Sequence, residues 1–245
     1  MKLDDVKKLH QKKYRSQFGY YLVEGEHLIQ ELQRSPLMSQ SVTLYVTDAW
    51  QARGLPLDER FDVVSVTERQ MAALSDTKTP QGVIARVPLP ASQGSPVTAV
   101  GNERCIYLHE IQDPGNLGTV LRSLAWFGRF RLLLSPNSVD PFNSKAVRAS
   151  MGAIFHLPVE LDITLTQLQS RFEKFAYLDL TGTAITDKRF ADYPCYLFGN
   201  EARGVPQEAL SQMNADAFTI AGNGTIESLN LASAVGICAF QLAQS

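Results

Sequence analysis

The stretch LHEIQDPGNLGTVLRSLAWFG, residues 108–128, carries three signals in a row. It begins at the end of an apolar run, Cys105-Ile106-Tyr107-Leu108, which has the character of a buried strand. A tight polar corner, Asp113-Pro114-Gly115-Asn116, comes next. Leu117, Val120, Leu121, Leu124 and Phe127 then recur at helical spacing, and Gly128 stands where a helix would stop. The spacing predicts strand, turn and a helix over 116–127, with Arg122 inside the helix. Taken alone this is an ordinary βα corner, so its neighbours must decide what it does.

After it the pattern repeats. Strands are expected at 131–134, 154–159, 175–180, 195–198 and 217–220. Helices are expected after Ser144, after Thr164, after Pro206 and over 229–242. The last, LNLASAVGICAFQL, is so apolar that it must be buried on most sides. Steady alternation of strand and helix implies an α/β fold with a mostly parallel sheet and helices on both faces. Before it, residues 1–87 read as a smaller α/β unit. A basic amphipathic helix comes first, followed by a basic-aromatic loop, KKYRSQFGYY (12–21), and a helix after Gly25. Strands at 43–46, 62–66 and 82–87 complete it, with a helix capped by Thr67 between the last two. PLPASQGSPVTAVG (88–101) is rich in Pro, Ser and Gly and reads as a linker to the larger domain, 102–245.

Composition narrows the class. Of 245 residues, 44% are hydrophobic and 20% charged, which suits a globular chain with a substantial core. The net charge of −2 conceals an asymmetry. Lys7, Lys8, Lys12, Lys13 and Arg15 crowd the N-terminus, whereas the chain from Gly101 onward holds 11 Lys and Arg against 14 Asp and Glu. A basic segment on a near-neutral body suggests a local phosphate contact, with a solvated helix face as the plain alternative. Cys105, Cys195 and Cys238 are far apart in apolar runs, as expected of reduced thiols in the cytoplasm. The start, MKLDDVKKLHQKKYR, lacks the apolar stretch of a signal peptide, and no run is long enough to span a membrane.

In a parallel sheet, ligands bind beyond the carboxyl ends of the strands. The segments there are IQDPGN (111–116), LTGT (180–183), GNEARG (199–204) and AGNGTIESLN (221–230). Their Gly, Asn, Thr and Glu suit a neutral or zwitterionic cofactor and a hydroxyl substrate. They are poor for metal, lacking clustered His or paired carboxylates at ligand spacing. No GxxxxGK[ST] occurs and no GxGxxG follows the first strand of either unit. Ser228 has no evident His and Asp partners for hydrolase chemistry.

Three stretches together resemble motifs one, two and three of the SpoU/TrmH branch of the SPOUT methyltransferases: 108–128, YLFGNEARGV (196–205) and IESLNLASAVGICAF (226–240). KAVRASMGAIFHLPV (145–159) is similar to the segment that the family carries between motifs one and two, and KKYRSQFGYYLVEGEHLIQE (12–31) to its N-terminal RNA-binding domain. The resemblance implies transfer of a methyl group from S-adenosylmethionine to a ribose 2′-hydroxyl of RNA. Ribosomal RNA is the first expectation, tRNA the alternative. It implies a C-terminal domain with a deep trefoil knot, against the general rarity of knots, and a homodimer. Carried over residue by residue, Asn116, Arg122, Glu201, Ser228 and Asn230 are the catalytic candidates. Leu180, Thr181, Gly182, Phe198, Gly199, Asn200, Ile220, Ala221, Ser228 and Leu229 would hold the cofactor. Lys12, Lys13 and Arg15, with Tyr14, Phe18, Tyr20 and Tyr21 beside them, are the RNA-binding candidates. One departure stands out: Ile220 is followed by Ala221 where the family usually has Pro. Two rival readings stay open, a non-catalytic RNA-binding protein on the same fold and a Rossmann-type enzyme for a small metabolite.

Overall fold

The computed structural model describes residues 1–35, 41–90 and 103–244. Two compact units emerge: Met1–Ala91 with Asp140–His156, and Ser92–Val139 with Leu157–Ser245. Most of the stretch read as a linker, residues 91–101, lies outside the described residues, and the strand before it runs through Pro88.

The first unit runs α1 (Leu3–Lys8), α2 (Lys12–Phe18), β1 (Tyr20–Glu24), α3 (Glu26–Gln33), β2 (Val42–Val46), α4 (Asp48–Gln51), β3 (Phe61–Ser65), α5 (Glu68–Leu74) and β4 (Val83–Pro88). Its strands form a mixed sheet ordered β1-β4-β2-β3. Leu22, Tyr45 and Ile84 project from one face and pack on Val6, Leu9, Met71 and Leu74 of the N-terminal helices and α5. Thr67 starts α5 through a capping box with Gln70, as its sequence position predicts.

One expectation fails here. The basic-aromatic stretch is not a loop: Lys12–Phe18 is helix α2, Gly19 closes it in the left-handed region at φ 75°, and Tyr20 opens β1. Tyr21, Leu22 and Val23 are buried in succession, so β1 lacks the polar alternation that marks a half-buried strand.

The second unit begins with β5 (Arg104–Leu108), α6 (Pro114–Phe127) and β6 (Phe130–Leu134). Helix α7 (Ser144–Ala149) follows in the segment that belongs to the first unit. The second unit resumes with β7 (Val159–Glu160), α8 (Leu165–Arg171), β8 (Phe175–Ala184), β9 (Cys195–Phe198), α9 (Gln207–Leu210), β10 (Ala215–Thr219) and α10 (Leu231–Ala243). Six strands pair in the order β10-β8-β9-β5-β6-β7, every pairing parallel. This is the α/β architecture expected from the alternation. The central strands are buried along their length because helices cover both faces.

Smaller corrections have local causes. Asn143, not Ser144, caps α7, its side chain accepting from the Lys145 and Ala146 amides at 3.0 Å. The strand expected over 154–159 is a 3₁₀ turn, Ala153–Phe155, and a two-residue strand, Val159–Glu160. Helix α10 is not enclosed. Ile237 and Phe240 are 40% and 53% exposed, and Trp126 of α6 is 84% exposed. The three cysteines are free and buried. Among the described residues, no helix is long and apolar enough to cross a membrane.

Candidate active site

The site is built where β5 and β9 end side by side, Leu108 paired with Phe198. Beyond β5 the chain turns and Asp113 caps α6, accepting the Asn116 amide at 2.7 Å, with Pro114 as the first helical residue. The helix therefore starts earlier than predicted, and Asn116 lies in its first turn. Beyond β9, Asn200 and Gly204 exchange backbone hydrogen bonds at 2.9 Å, and the Asn200 side chain accepts from the Ala202 and Arg203 amides at 3.0 Å. Gly199 is required there. A Cβ on it would lie 2.2 Å from the Gly204 carbonyl carbon and 2.4 Å from its oxygen.

That loop delivers Glu201 to the start of α6. Its carboxylate accepts from the Gln112 and Asp113 amides, both at 3.2 Å, where the helix dipole favours negative charge. It also accepts from Asn116 Nδ2 at 3.3 Å. Asn116 Oδ1 in turn accepts from Asn230 Nδ2 at 2.9 Å. Asn230 Oδ1 caps α10 through the Ala232 and Ser233 amides at 2.9 and 3.3 Å. Three of the five catalytic candidates thus form one hydrogen-bonded chain, Glu201–Asn116–Asn230. Each end is anchored on a helix N-terminus, and Asn116 sits in the middle.

Arg122 lies further along α6, exposed, and makes no hydrogen bond or ion pair among the described residues. Ser228 is exposed in the segment 221–230 and makes no side-chain hydrogen bond to the other catalytic candidates among the described residues. His109, at the end of β5, is half-buried. Burial pulls its imidazole below the ordinary value, Arg203 adds to this, and Glu110 opposes it.

The cofactor candidates divide. Leu180, Thr181 and Gly182 occupy a break in the β8–β10 ladder: Tyr177 pairs with Ala217, and the next pair is Thr183 with Phe218. The residues between bulge out, leaving Leu180 69% exposed while its carbonyl accepts from Thr219 Oγ1 at 3.1 Å. A Cβ on Gly182 would lie 2.6 Å from the Ala217 carbonyl oxygen, so the close approach needs glycine. Ile220 and Ala221 follow directly, and Leu229 is 45% exposed. Exposed apolar side chains beside backbone polar groups fit a zwitterionic cofactor with a flat heterocycle. Phe198 and Asn200 do not offer their side chains. Phe198 is core, and Asn200 Nδ2 is spent on the Glu110 carbonyl at 2.6 Å. Sequence reasoning missed Asp113 as the helix cap, although Asp before Pro at a helix start signals it.

Arg15 must be withdrawn from the RNA-binding set. It is 4% exposed, and its guanidinium binds Asp140, with Nε at 3.0 Å from Oδ2. It also donates to the Leu9 and His10 carbonyls at 2.9 and 2.8 Å. All three of its nitrogens are engaged inside the first unit and the side chain is buried, so it is not presented to phosphate. Tyr21 is likewise core, while Lys12 and Lys13 are exposed on α2.

The second unit thus sets a hydrogen-bonded Glu-Asn-Asn chain among polar loops at the carboxyl edge of a parallel sheet. The fold of the chain recurs in known proteins. A TrmH-family protein of Porphyromonas gingivalis superposes with TM-score 0.80 at 28% identity, covering 98% of this chain and 96% of its own. An AdoMet-bound rRNA methyltransferase of Sinorhizobium meliloti does so with TM-score 0.81 at 26% identity, covering 99% and 94%. Residues 103–240 match the SpoU rRNA Methylase family and residues 2–85 the MRM3-like substrate binding domain, so the chain belongs to the SpoU rRNA methylase family. The 23S rRNA (guanosine(2553)-2′-O)-methyltransferase RlmP of Bacillus subtilis is 29% identical over 250 residues, 98% of this chain and 95% of that protein.

Proposed function

We propose that this chain transfers the methyl group of S-adenosylmethionine to a ribose 2′-hydroxyl of ribosomal RNA. The observation that carries the reading is the Glu201–Asn116–Asn230 chain, whose middle residue shares α6 with an exposed Arg122 that has no partner among the described residues. When bound, S-adenosylmethionine supplies an electrophilic methyl group. The backbone near Gly199, Ile220 and Leu229 and the bulge at Leu180, Thr181 and Gly182 would hold it.

A ribose hydroxyl is a weak acid and must lose its proton as its oxygen attacks. A guanidinium is a donor and not a general base, so the proton goes elsewhere. The role of Arg122 is to grip the phosphate beside the target ribose and stabilise the developing alkoxide. A phosphate oxygen or water accepts the proton. Asn116, held between Glu201 and Asn230, orients the hydroxyl. Glu201 is a positioning residue, since its carboxylate is occupied by backbone amides and Asn116. Ser228 completes the site from the 221–230 loop. On this reading residues 1–87 hold the RNA, residues 102–245 perform the transfer, and the chain after β10 threads as the trefoil knot. The compartment is the cytoplasm, in keeping with three buried free thiols.

The active form is a homodimer. Asn116, Thr119, Ser123 and Phe127 of α6 and Asn230, Gly236, Ile237 and Phe240 of α10's side line one open groove of about 550 Å³. Its apolar end, where Phe127 and Phe240 meet edge-on at 5.9 Å, needs a partner. Its polar end holds two catalytic candidates, so a second copy seated there would sit against the site. Phe240→Asp is expected to give a monomer in light scattering and to reduce methylation. A dimer unchanged by that variant would rule out this interface.

The decisive test compares 2′-O-methylation maps of RNA from cells with and without the protein. One rRNA ribose should lose its methyl group when the protein is absent. An rRNA map with no change overturns the assignment, and a change confined to tRNA transfers it to that class.

A further inference from the structure

We propose that the α2–β1 corner of the first unit is a stacking surface for unpaired RNA nucleotides, with Tyr14 and Tyr20 as the ring faces and Lys8, Lys13 and Arg86 as the phosphate-facing cations. This rests on the RNA methyltransferase reading above and deepens it by naming the form of RNA that the first unit takes. The corner combines aromatic rings with an excess of positive charge. Lys7, Lys8, Lys12 and Lys13 are all exposed, and only Asp4 and Asp5 on α1 oppose them, Asp5 pairing with Lys8 at 2.8 Å. The Nζ atoms of Lys8 and Lys13 each lie 5.7 Å from the centroid of the Tyr14 ring. Tyr14 stacks in turn on Phe18, centroids 6.0 Å apart and planes 18° from parallel. One left-handed residue, Gly19, then turns the chain so that Tyr20 begins β1.

Arg86 is the second pole. It reaches from the neighbouring strand β4 to place its guanidinium 4.5 Å from the Tyr20 centroid. Nη2 donates to Thr43 Oγ1 at 2.8 Å, while Nε is buried without a partner. No carboxylate pairs with Arg86 among the described residues. A ring quadrupole attracts a cation but does not neutralise it, and a half-buried charge without a counter-ion is costly. A phosphate supplies the missing anion, and the guanidinium suits it by offering forked donors. Along the chain, Gly19 thus separates a Lys–Tyr14–Phe18 group from a Tyr20–Arg86 pair. A duplex keeps its bases stacked inside and cannot use ring faces, whereas unpaired bases can lie on them. A single strand crossing the corner satisfies both the rings and the charges.

The test measures binding of the full chain to a short fluorescein-labelled oligoadenylate, and to an RNA duplex of equal length, by anisotropy across a range of KCl. Tyr14→Leu and Tyr20→Leu should each weaken oligoadenylate binding about tenfold or more, leaving the salt slope unchanged. Tyr14→Phe and Tyr20→Phe should bind as the parent does, which separates loss of the ring from loss of fold. Arg86→Gln should weaken binding and lower the salt slope by about 0.7, the value for one single-strand phosphate contact. Changes of less than about twofold in all the Leu and Gln variants, against the tenfold expected of a stacked base, overturn the proposal. So do equal losses on the duplex. Methylation of total rRNA is measured alongside. A parent protein that methylates while the variants keep its KM removes this surface but leaves the enzyme reading intact. A parent that methylates no RNA removes the enzyme reading itself.

Discussion

Arg122→Ala is expected to slow single-turnover methylation of RNA by about 10²–10³, with cofactor affinity within a few-fold of the parent. The magnitude is that of deleting one electrostatic donor aimed at charge that develops in the transition state. Affinity should hold because the backbone and the Leu180–Gly182 bulge proposed to hold the cofactor lie on other elements. Stability should change little, since Arg122 is exposed and has no partner among the described residues. Arg122→Lys should recover only part of the rate, because an ammonium is a point charge and cannot fork onto a phosphate. The measurements are single-turnover methylation with saturating protein and calorimetric titration with S-adenosylhomocysteine. A folded variant that no longer binds cofactor would sink the role given to Arg122.

Arg15→Ala is expected to destabilise the first unit by about 3–5 kcal/mol, the usual cost of removing one partner from a buried ion pair. Three groups are stranded together. Asp140, with its side chain 11% exposed, loses its counter-charge, and the Leu9 and His10 carbonyls lose their donor. The pair is not a strong source of net stability, because desolvating both charges offsets most of their attraction. Replacing both residues with apolar ones, as in Arg15→Met with Asp140→Leu, should therefore recover a large part of the loss. Urea unfolding of the three variants measures this. A loss below about 1 kcal/mol for Arg15→Ala, the range of a surface pair, would show that the pair is open to solvent. The salt slope of RNA binding by folded Arg15→Ala should match the parent, since this guanidinium meets no phosphate.

The contrast between these arginines marks the limit of reading the chain linearly. Both sit on helices among apolar or aromatic neighbours, and both carried a phosphate role from the sequence. Arg122 emerges from its helix into solvent. Arg15 is turned inward by an aspartate 125 residues away in sequence, a distance at which local spacing carries no information. Similarly, Lys12–Phe18 looked like a loop because its charges and rings lack a clean helical stripe. Only packing of Val6, Leu9 and Phe18 on the sheet makes α1 and α2 worth forming.

Period, caps and punctuation determined much of this protein from the sequence alone. The strand–turn–helix at 104–128, the Thr67 and Thr164 capping boxes, the alternation that implies a parallel sheet, and the loops rich in Gly and Asn were all legible. These are local properties, set by contacts within a turn or two of chain. The tertiary structure alone decided which of those loops meet. It brought Glu201, Asn116 and Asn230 into one hydrogen-bonded chain, assigned Asp140–His156 to the first unit, broke the β8–β10 ladder at Leu180, and buried Arg15. Each of these depends on strand order and on contacts between residues far apart in sequence, which side-chain chemistry permits but does not specify. The helix within 108–128 shows both halves of the division. Its existence is written in Asp113, Pro114 and the leucines, and its function depends on what β9 and α10 place beside Asn116.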